Sequence, residues 1–325
     1  MAKYNVLVTG IGGNVGQGII RNLQSLKLDM RIVGCNVTEV SPGSHLCDVV
    51  YKVPFAYEEA YISELLAICK QENIQLVLPS TDYEVYYLSL HQARFEAAIP
   101  VSNPETNLCF LDKYKTWEFF NAHQIPFAAS YLPSNYAGQF SEYIVKPREG
   151  RGSRGLHLNP TNWKSFSDEY MIQRLHKGKE ITTAFYITRS GELHGLITFE
   201  RELQSGATVF CEVCTQYDSK MLEIIQKMMK HLPISASCNV QAIVDKDTQQ
   251  IIPFEINGRI SGTNSIRSQF GFKDIQYLVE EFLLDQNPEP IKVTGGSAIR
   301  VLMDVIYPNT SLKDVKNKHT THYLY

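Results

Sequence analysis

Long apolar stretches are missing from this 325-residue sequence. No run approaches the roughly 20 residues that a membrane-spanning helix needs, which excludes a helical membrane protein. A signal-peptide pattern is missing too, because MAKYNVLVTG enters a strand directly, so a soluble chain and a cytoplasmic location are expected. Charge of one sign is scarce. The 31 basic residues stand against 34 acidic ones, for a formal net charge of −3. No general attraction to nucleic acid or to an anionic membrane follows, and any phosphate site must be local. A disulfide framework is also lacking. The seven cysteines (Cys35, Cys47, Cys69, Cys109, Cys211, Cys214, Cys238) are odd in number and irregularly spaced, which reads as reduced thiols. Cys211 and Cys214 have CxxC spacing, but they lie in the β-like run ATVFCEVCTQ, where residues three apart point to opposite faces. Internal repeats and low-complexity tracts are absent as well.

What is present is ordinary globular material, 44% hydrophobic and 20% charged, long enough for two or three lobes. The first hundred residues alternate apolar runs (NVLVTG, RIVGC, VVYKVP, QLVLP, IPVSN) with helical patterns over 14–28 and 58–71, which implies a parallel βαβ sheet. From about residue 112 the runs change to EYIVKP, EYMIQRL, EITTAFYIT, ELHGLITFER and ATVFCEVCTQ, which resemble antiparallel strands. A helix over 218–231 precedes the strands SCNVQAIVD and IIPFEIN, joined by DKDTQQ. The class is α/β followed by α+β.

Two glycine clusters compete for attention. TGIGGNVGQG follows a strand and opens a helix, a setting that can hold a phosphate. Gly10, Gly13 and Gly16 fit G-x-x-G-x-x-G, but the strand that should end in a ribose-binding acid ends in Cys35 and Asn36, and no Tyr-x-x-x-Lys pair supports a reductase. A structural turn or a substrate-facing loop explains the same glycines. The second cluster follows Lys146: Gly150, Arg151, Gly152, Ser153, Arg154, Gly155 join two strands, as a flap over phosphates or as an ordinary hairpin. A lysine at a strand end delivers a well-placed point charge, although a solvated edge lysine has the same pattern.

Further along, MIQRLHKGKEI is followed by CNVQAIVD and PFEINGRISG. Glu255, Asn257 and Arg259 alternate on one strand and so share a face, which Gln241 can reach from the neighbouring strand. Oxygen ligands of this kind suit Mg²⁺ held by one or two carboxylates plus substrate phosphates. Asp82 and Glu84, in PSTDYEVYY, lie at a strand's C-terminal end, where they could hold a substrate ammonium or cap the following helix.

Taken in order, Asp112-Lys113, Val145-Lys146-Pro147, the second glycine cluster, the QRLHKGKE segment and the Asn239, Gln241, Glu255, Asn257, Arg259 set resemble the ATP-grasp superfamily. The set is similar in particular to the ATP-binding lobes of carbamoyl-phosphate synthetase large chains, which also place Gln where many relatives have Glu. The resemblance implies a parallel pre-ATP-grasp domain over 1–105. A small lobe with an entry helix and glycine flap would span 106–187, and a large lobe and C-terminal tail 188–325.

It also implies roles. Lys113, Lys146, Gly150, Gly152, Ser153 and Gly155 would bind the nucleotide's phosphates. The backbone of Gln173, Arg174 and Leu175 would take the adenine edge and Glu180 the ribose hydroxyls. Gln241, Glu255 and Asn257 would ligate Mg²⁺, with two ions expected and Mn²⁺ as a substitute. Asn239 and Arg259 would contact phosphate or the acyl phosphate, and Arg201 is a candidate for a charged-substrate or phosphate contact.

The implied activity is MgATP-dependent activation of a small-molecule carboxylate as an acyl phosphate, then capture by an amine. The chain would be a single unit and a possible homodimer, without nucleic-acid or membrane partners. Two alternatives stand beside it: an NAD(P)-dependent reductase using the first glycine cluster, and a non-catalytic ATP-binding protein.

Overall fold

The runs YNVLV, MRIVGCN and LVL are too apolar to leave either face in water, and in the computed structural model, which describes residues 3–150 and 154–325, they form three of the four strands of a parallel sheet. The N-terminal region comprises β1 (Tyr4–Val8), α1 (Asn14–Ser25), β2 (Met30–Asn36), β3 (Val49–Lys52), α2 (Ala60–Gln71), β4 (Leu76–Leu78) and α3 (Asp82–His91). Strand order is β3-β2-β1-β4, with every pairing parallel. Val6, Leu7 and Val8 are fully buried. The C-terminal ends of β1, β2 and β4 deliver Gly10, Asn36 and Ser80 to one edge of the sheet, the edge at which open α/β sheets accept ligands. Beyond Ala98, which bridges to Leu76, the expected strand IPVSN adds no further strand to this sheet.

Two helices lead out of this domain. α4 (Pro104–Leu111) starts with Asn103 accepting from the Thr106 N–H at 2.8 Å and with Pro at its first position. α5 (Lys113–Ala122) is capped by Asp112, whose Oδ1 accepts from the Tyr114 and Lys115 N–H groups at 3.0 and 3.3 Å. That cap fixes where Lys113 enters the helix.

A small antiparallel sheet follows, built from β5 (Ser130–Tyr131), β6 (Tyr143–Pro147), β7 (His157–Leu158) and β8 (Tyr170–Arg174) in the order β5-β8-β6-β7. The large sheet contains β9 (Gly178–Ile187), β10 (Leu193–Gln204), β11 (Ala207–Val213), β12 (Ala236–Asp245), β13 (Ile251–Asn257) and β14 (Ser297–Ile299), in the order β13-β12-β9-β10-β11-β14. Here the structure corrects the boundary expected at residue 187. β9 lies between β12 and β10, so it belongs to the large lobe; Ile181 to Ile187 are buried on both faces, as an interior strand requires.

α6 (Asp218–Met229) buries Met221, Ile224, Ile225 and Met228 at helical spacing against this sheet. Ile225 is fully buried, so truncation to alanine would cost about 2–5 kcal/mol. α7 (Asn264–Arg267) and α8 (Asp274–Phe282) complete the lobe, held together by a fully buried Arg267–Asp274 pair.

The N-terminal domain is locked to the large lobe where α1 meets α7. Asn22 Nδ2 donates to Asn264 O and Oδ1 at 3.2 and 3.1 Å, and Asn264 Nδ2 donates to Val15 O at 3.2 Å. Gly18 permits this approach, because a Cβ there would lie 2.3 Å from Asn264 Oδ1. The polar tail forms β15 (Val305–Ile306) and β16 (Tyr323–Leu324) and folds back on the N-terminal domain, with Lys318 Nζ 2.6 Å from Asp48 Oδ1 and Val315 buried. Among the described residues no helix is long and apolar enough to cross a membrane. All seven cysteines are free.

Candidate nucleotide and substrate site

A cavity of about 1020 Å³ lies where the C-terminal edge of the parallel sheet meets both antiparallel sheets. Each domain supplies part of its wall.

The small sheet supplies a buried cation. Lys146 is 4% exposed, and its ammonium donates to Gln173 Oε1 at 2.8 Å and to Phe254 O at 3.3 Å. Burial pulls its pKa down to about 8; nearby Lys113 pulls the same way and Glu255 opposes them. A lysine so desolvated gains strongly from an anion. Lys113, at the start of α5, donates from Nζ to Gly150 O at 3.0 Å and so touches the beginning of the second glycine cluster. Gly150 lines the cavity, whereas Gly155, with φ +69°, packs near Pro147 outside it. Gly152 and Ser153 lie outside the described residues.

The segment expected at the adenine edge lines the same cavity, but its N–H groups are spent within the sheet. Arg174 N–H donates to Ala129 O at 2.8 Å and Leu175 N–H to Glu142 O at 3.1 Å, while Gln173 pairs with Ile144 and holds Lys146 through its side chain. The first N–H beyond β8 without a backbone acceptor among the described residues is that of His176, another cavity residue. Glu180, near the start of β9, faces inward, yet Arg201 already bonds its Oε1 from Nη2 at 2.6 Å and from Nε at 3.0 Å.

The large sheet brings the remaining residues together. Strand register sets Gln241 opposite Glu255 and Asn239 opposite Asn257, so two paired strands present all four to one face. Arg201 Nη2 also donates to Gln241 Oε1 at 2.6 Å, and Arg259 Nη2 donates to Asn257 Oδ1 at 2.8 Å. The two amide oxygens expected as metal ligands thus each hold a guanidinium, leaving Glu255 as the carboxylate of the set. Among the described residues there is no group of three or more His, Cys, Asp or Glu able to hold a metal unaided. This donor set fits a hard cation that takes most of its ligands from phosphate and water.

Two orphan donors strengthen the fit to a phosphorylated ligand. Asn239 is 1% exposed; its Oδ1 accepts from Thr182 Oγ1 at 2.9 Å and Ser261 Oγ at 3.2 Å, which leaves Nδ2 without a partner. Arg259 uses Nη1 on Ile260 O and Nη2 on Asn257 and Asp82, while its buried Nε has no partner. Buried donors left unbonded cost free energy that a phosphate or carboxylate oxygen would recover.

Sequence reasoning missed several contributors. Asp82 does not cap α3: Thr81 is the cap, Glu84 completes a capping box, and the Asp82 carboxylate lines the cavity and reaches Arg259 at 2.8 Å. The Thr81-x-x-Glu84 spacing signalled that box. The β10–β11 turn contributes Ser205 and Gly206 to the cavity, which no local motif announces. The first glycine cluster serves as both turn and wall. Gly10 adopts φ +57°, Gly12 N–H donates to Asn36 Oδ1 at 3.3 Å, and Gly10, Gly12 and Gly13 line the cavity.

Comparison with known families and structures agrees with this layout. Residues 6–101 match the PylC-like N-terminal domain and residues 110–263 match the ATP-grasp domain. No curated protein matches the sequence. Among solved structures, the chain is similar to N5-carboxyaminoimidazole synthetase from Staphylococcus aureus complexed with ADP (14% identity, TM-score 0.75, 93% of this chain and 83% of that one). It is also similar to the biotin carboxylase domain dimer of the Hydrogenobacter thermophilus 2-oxoglutarate carboxylase with MgADP and bicarbonate (12% identity, TM-score 0.69, 91% and 74%). An L-amino acid ligase from Bacillus licheniformis is a third neighbour (11% identity, TM-score 0.67, 87% and 75%). At these identities the likeness is one of fold.

Proposed function

We propose that the chain, which carries an ATP-grasp domain over residues 110–263 behind a PylC-like N-terminal domain, is a MgATP-dependent ligase that activates a small-molecule carboxylate as an acyl phosphate and transfers the acyl group to an amine. One observation carries the reading: the register that pairs Gln241 with Glu255 and Asn239 with Asn257 on one wall of the cavity that Lys146 also lines. Metal-ligand oxygens and a desolvated cation facing one space are what a triphosphate requires.

In the proposed reaction a carboxylate oxygen of the substrate attacks the γ-phosphorus, the bond from that phosphorus to the bridging oxygen breaks, and ADP leaves. The amine nitrogen then attacks the acyl carbon, inorganic phosphate departs, and the nitrogen gives up its proton. No protein nucleophile is needed; positioning and charge neutralisation do the work.

Lys146 and Lys113 hold phosphate oxygens, with Gly150 beside Lys113. The His176 N–H and the Arg174 carbonyl, two residues before it, take the adenine edge, one residue later than the Gln173–Leu175 expectation for the donor, and Glu180 takes the ribose hydroxyls. Glu255, Gln241 and Asn257 hold Mg²⁺, which when bound neutralises charge on the transferring phosphoryl group. Asn239 Nδ2 and Arg259 Nε donate to oxygens of the acyl phosphate, and Arg201 orients Glu180 and Gln241. The finer likeness to carbamoyl-phosphate synthetase large chains rests on the glutamine at 241.

The test is ADP release over pools of amino acids and other carboxylates, with and without amines, in Mg²⁺. ADP that depends on both an acid and an amine supports the reading, with Glu255→Ala reducing it by about 100-fold or more. Full turnover in that variant defeats the metal assignment.

A further inference from the structure

The wall formed by the parallel sheet takes no part in the nucleotide chemistry above, and its composition is distinctive. Val37, Val53, Phe55, Tyr57 and Tyr83 line it. Phe55 and Tyr57 stack with ring centroids 5.4 Å apart and planes at 4°, and Tyr57 meets Tyr83 edge-on at 5.9 Å and 72°. The rings form a preordered apolar surface, and Tyr57 is 54% exposed.

Charge divides sharply between the walls. The lysines and arginines lining the cavity are Lys113, Lys146, Arg154, Arg174, Arg201 and Arg259; among the described residues the wall before residue 112 has none. Its two carboxylates are committed. Asp82 bonds Arg259, and Glu84 is buried in the α3 cap, accepting from the Ser80 and Thr81 N–H groups at 3.2 and 3.0 Å. A carboxylate or ammonium at this end of a substrate would lose water and meet no uncommitted side chain of opposite charge on this wall among the described residues. An uncharged ring or branched alkyl group would instead shed its hydration against aromatic faces.

The aromatic cluster also lies close to the reactive end. Tyr83 directly follows Asp82, which holds Arg259, so the cluster is one residue removed from the group assigned to the acyl phosphate.

We infer that this wall is the side-chain subsite for the substrate acid, and that the acid bound there has an uncharged tail of aromatic or large aliphatic character, a class that includes the aromatic and branched-chain amino acids. The inference rests on the ligase reading, because that reading puts the reacting carboxylate beside Arg259.

Saturation-transfer NMR tests it on the full chain with Mg²⁺ and a non-hydrolysable ATP analogue. L-phenylalanine, L-tyrosine and L-leucine are compared with L-glutamate, L-lysine and 3-phosphoglycerate. Transfer to the first three, strongest at ring and methyl protons, is expected. Tyr57→Ala should weaken L-phenylalanine binding about tenfold, while Tm stays unchanged because the side chain is half exposed. A preference for the charged acids, binding of no member of the panel, or an unaltered affinity in Tyr57→Ala overturns the inference. Binding of the ATP analogue, followed by thermal shift in the same samples and compared with Lys146→Met, reports separately on the ligase reading. A protein that binds the analogue but not the apolar acids fails the inference alone.

Discussion

Asp82 and Arg259 meet at 2.8 Å across the joint between the parallel domain and the large sheet. The contact makes the orientation of a large-lobe arginine depend on the first residue of an N-terminal helix. Arg259 has one other side-chain acceptor, Asn257, and its Nε is left buried and unbonded. Removing the Asp82 carboxylate should let the guanidinium rotate toward Asn257 and withdraw Nε from the position where phosphate or acyl phosphate would meet it.

Asp82→Ala is therefore expected to lower kcat by about tenfold or more with little change in ATP KM. The partly buried pair should also cost about 1–3 kcal/mol of stability when broken. Steady-state ADP release and thermal denaturation check the two effects. Unchanged kcat would show that Arg259 holds its place without the N-terminal domain.

Lys146 carries the pH dependence. Its pKa of about 8 in the fold lies below the ordinary lysine value of 10.5, so the unfolded chain binds more protons between those limits. The cost of burying the charged form is thus present below about pH 8 and is relieved as pH rises toward 10.5. Nucleotide binding runs the other way, because phosphate needs the ammonium. ATP affinity should fall as pH climbs through about 8, and binding at pH 8–9 should take up a proton. Titration calorimetry in buffers of different ionisation enthalpy measures that uptake; its absence, or persistence in Lys146→Arg, would remove Lys146 from the phosphate site.

Much of this arrangement was legible in the chain itself, because it depends on local periodicity. Glu255, Asn257 and Arg259 alternate on β13, and period two alone puts them on one face; the pairing with Gln241 and Asn239 then followed from adjacent strands. The parallel sheet was equally local in origin. What escaped were long-range choices. β9 reads as a strand in sequence, but nothing near it says which sheet it joins, and the structure inserts it between β12 and β10. Asp82 has the sequence context of a helix start, and only three-dimensional proximity to Arg259 reveals its partner. The spent N–H groups of Arg174 and Leu175 were hidden because their acceptors, Ala129 and Glu142, come from separate loops.

The adenine-edge assignment separates two substitutions at one position. His176→Pro deletes the N–H proposed for the adenine edge, whereas His176→Ala keeps it and loses the side-chain contact with Asp245 at 3.3 Å. Proline should raise the ATP KM by about tenfold and blunt the preference for ATP over GTP; alanine should change either only slightly. Equal behaviour of the two variants in nucleotide competition would return the adenine contact to Gln173–Leu175.

Gln241 offers the sharpest test of the metal proposal. It faces Glu255 directly and holds Arg201 at 2.6 Å, so Gln241→Glu substitutes a carboxylate without greatly changing size and still gives Arg201 an acceptor. Without metal, two carboxylates facing each other across adjacent strands repel, and Tm should fall. With Mg²⁺ and nucleotide the added charge becomes a better ligand, because divalent affinity rises with the negative charge of the donor set. The Mg²⁺ concentration for half-maximal ADP release should drop by about tenfold, and the lost Tm should return as Mg²⁺ is added with ATP analogue. If Mg²⁺ dependence is unmoved while stability falls, Gln241 lies outside the coordination sphere and serves only to position Arg201.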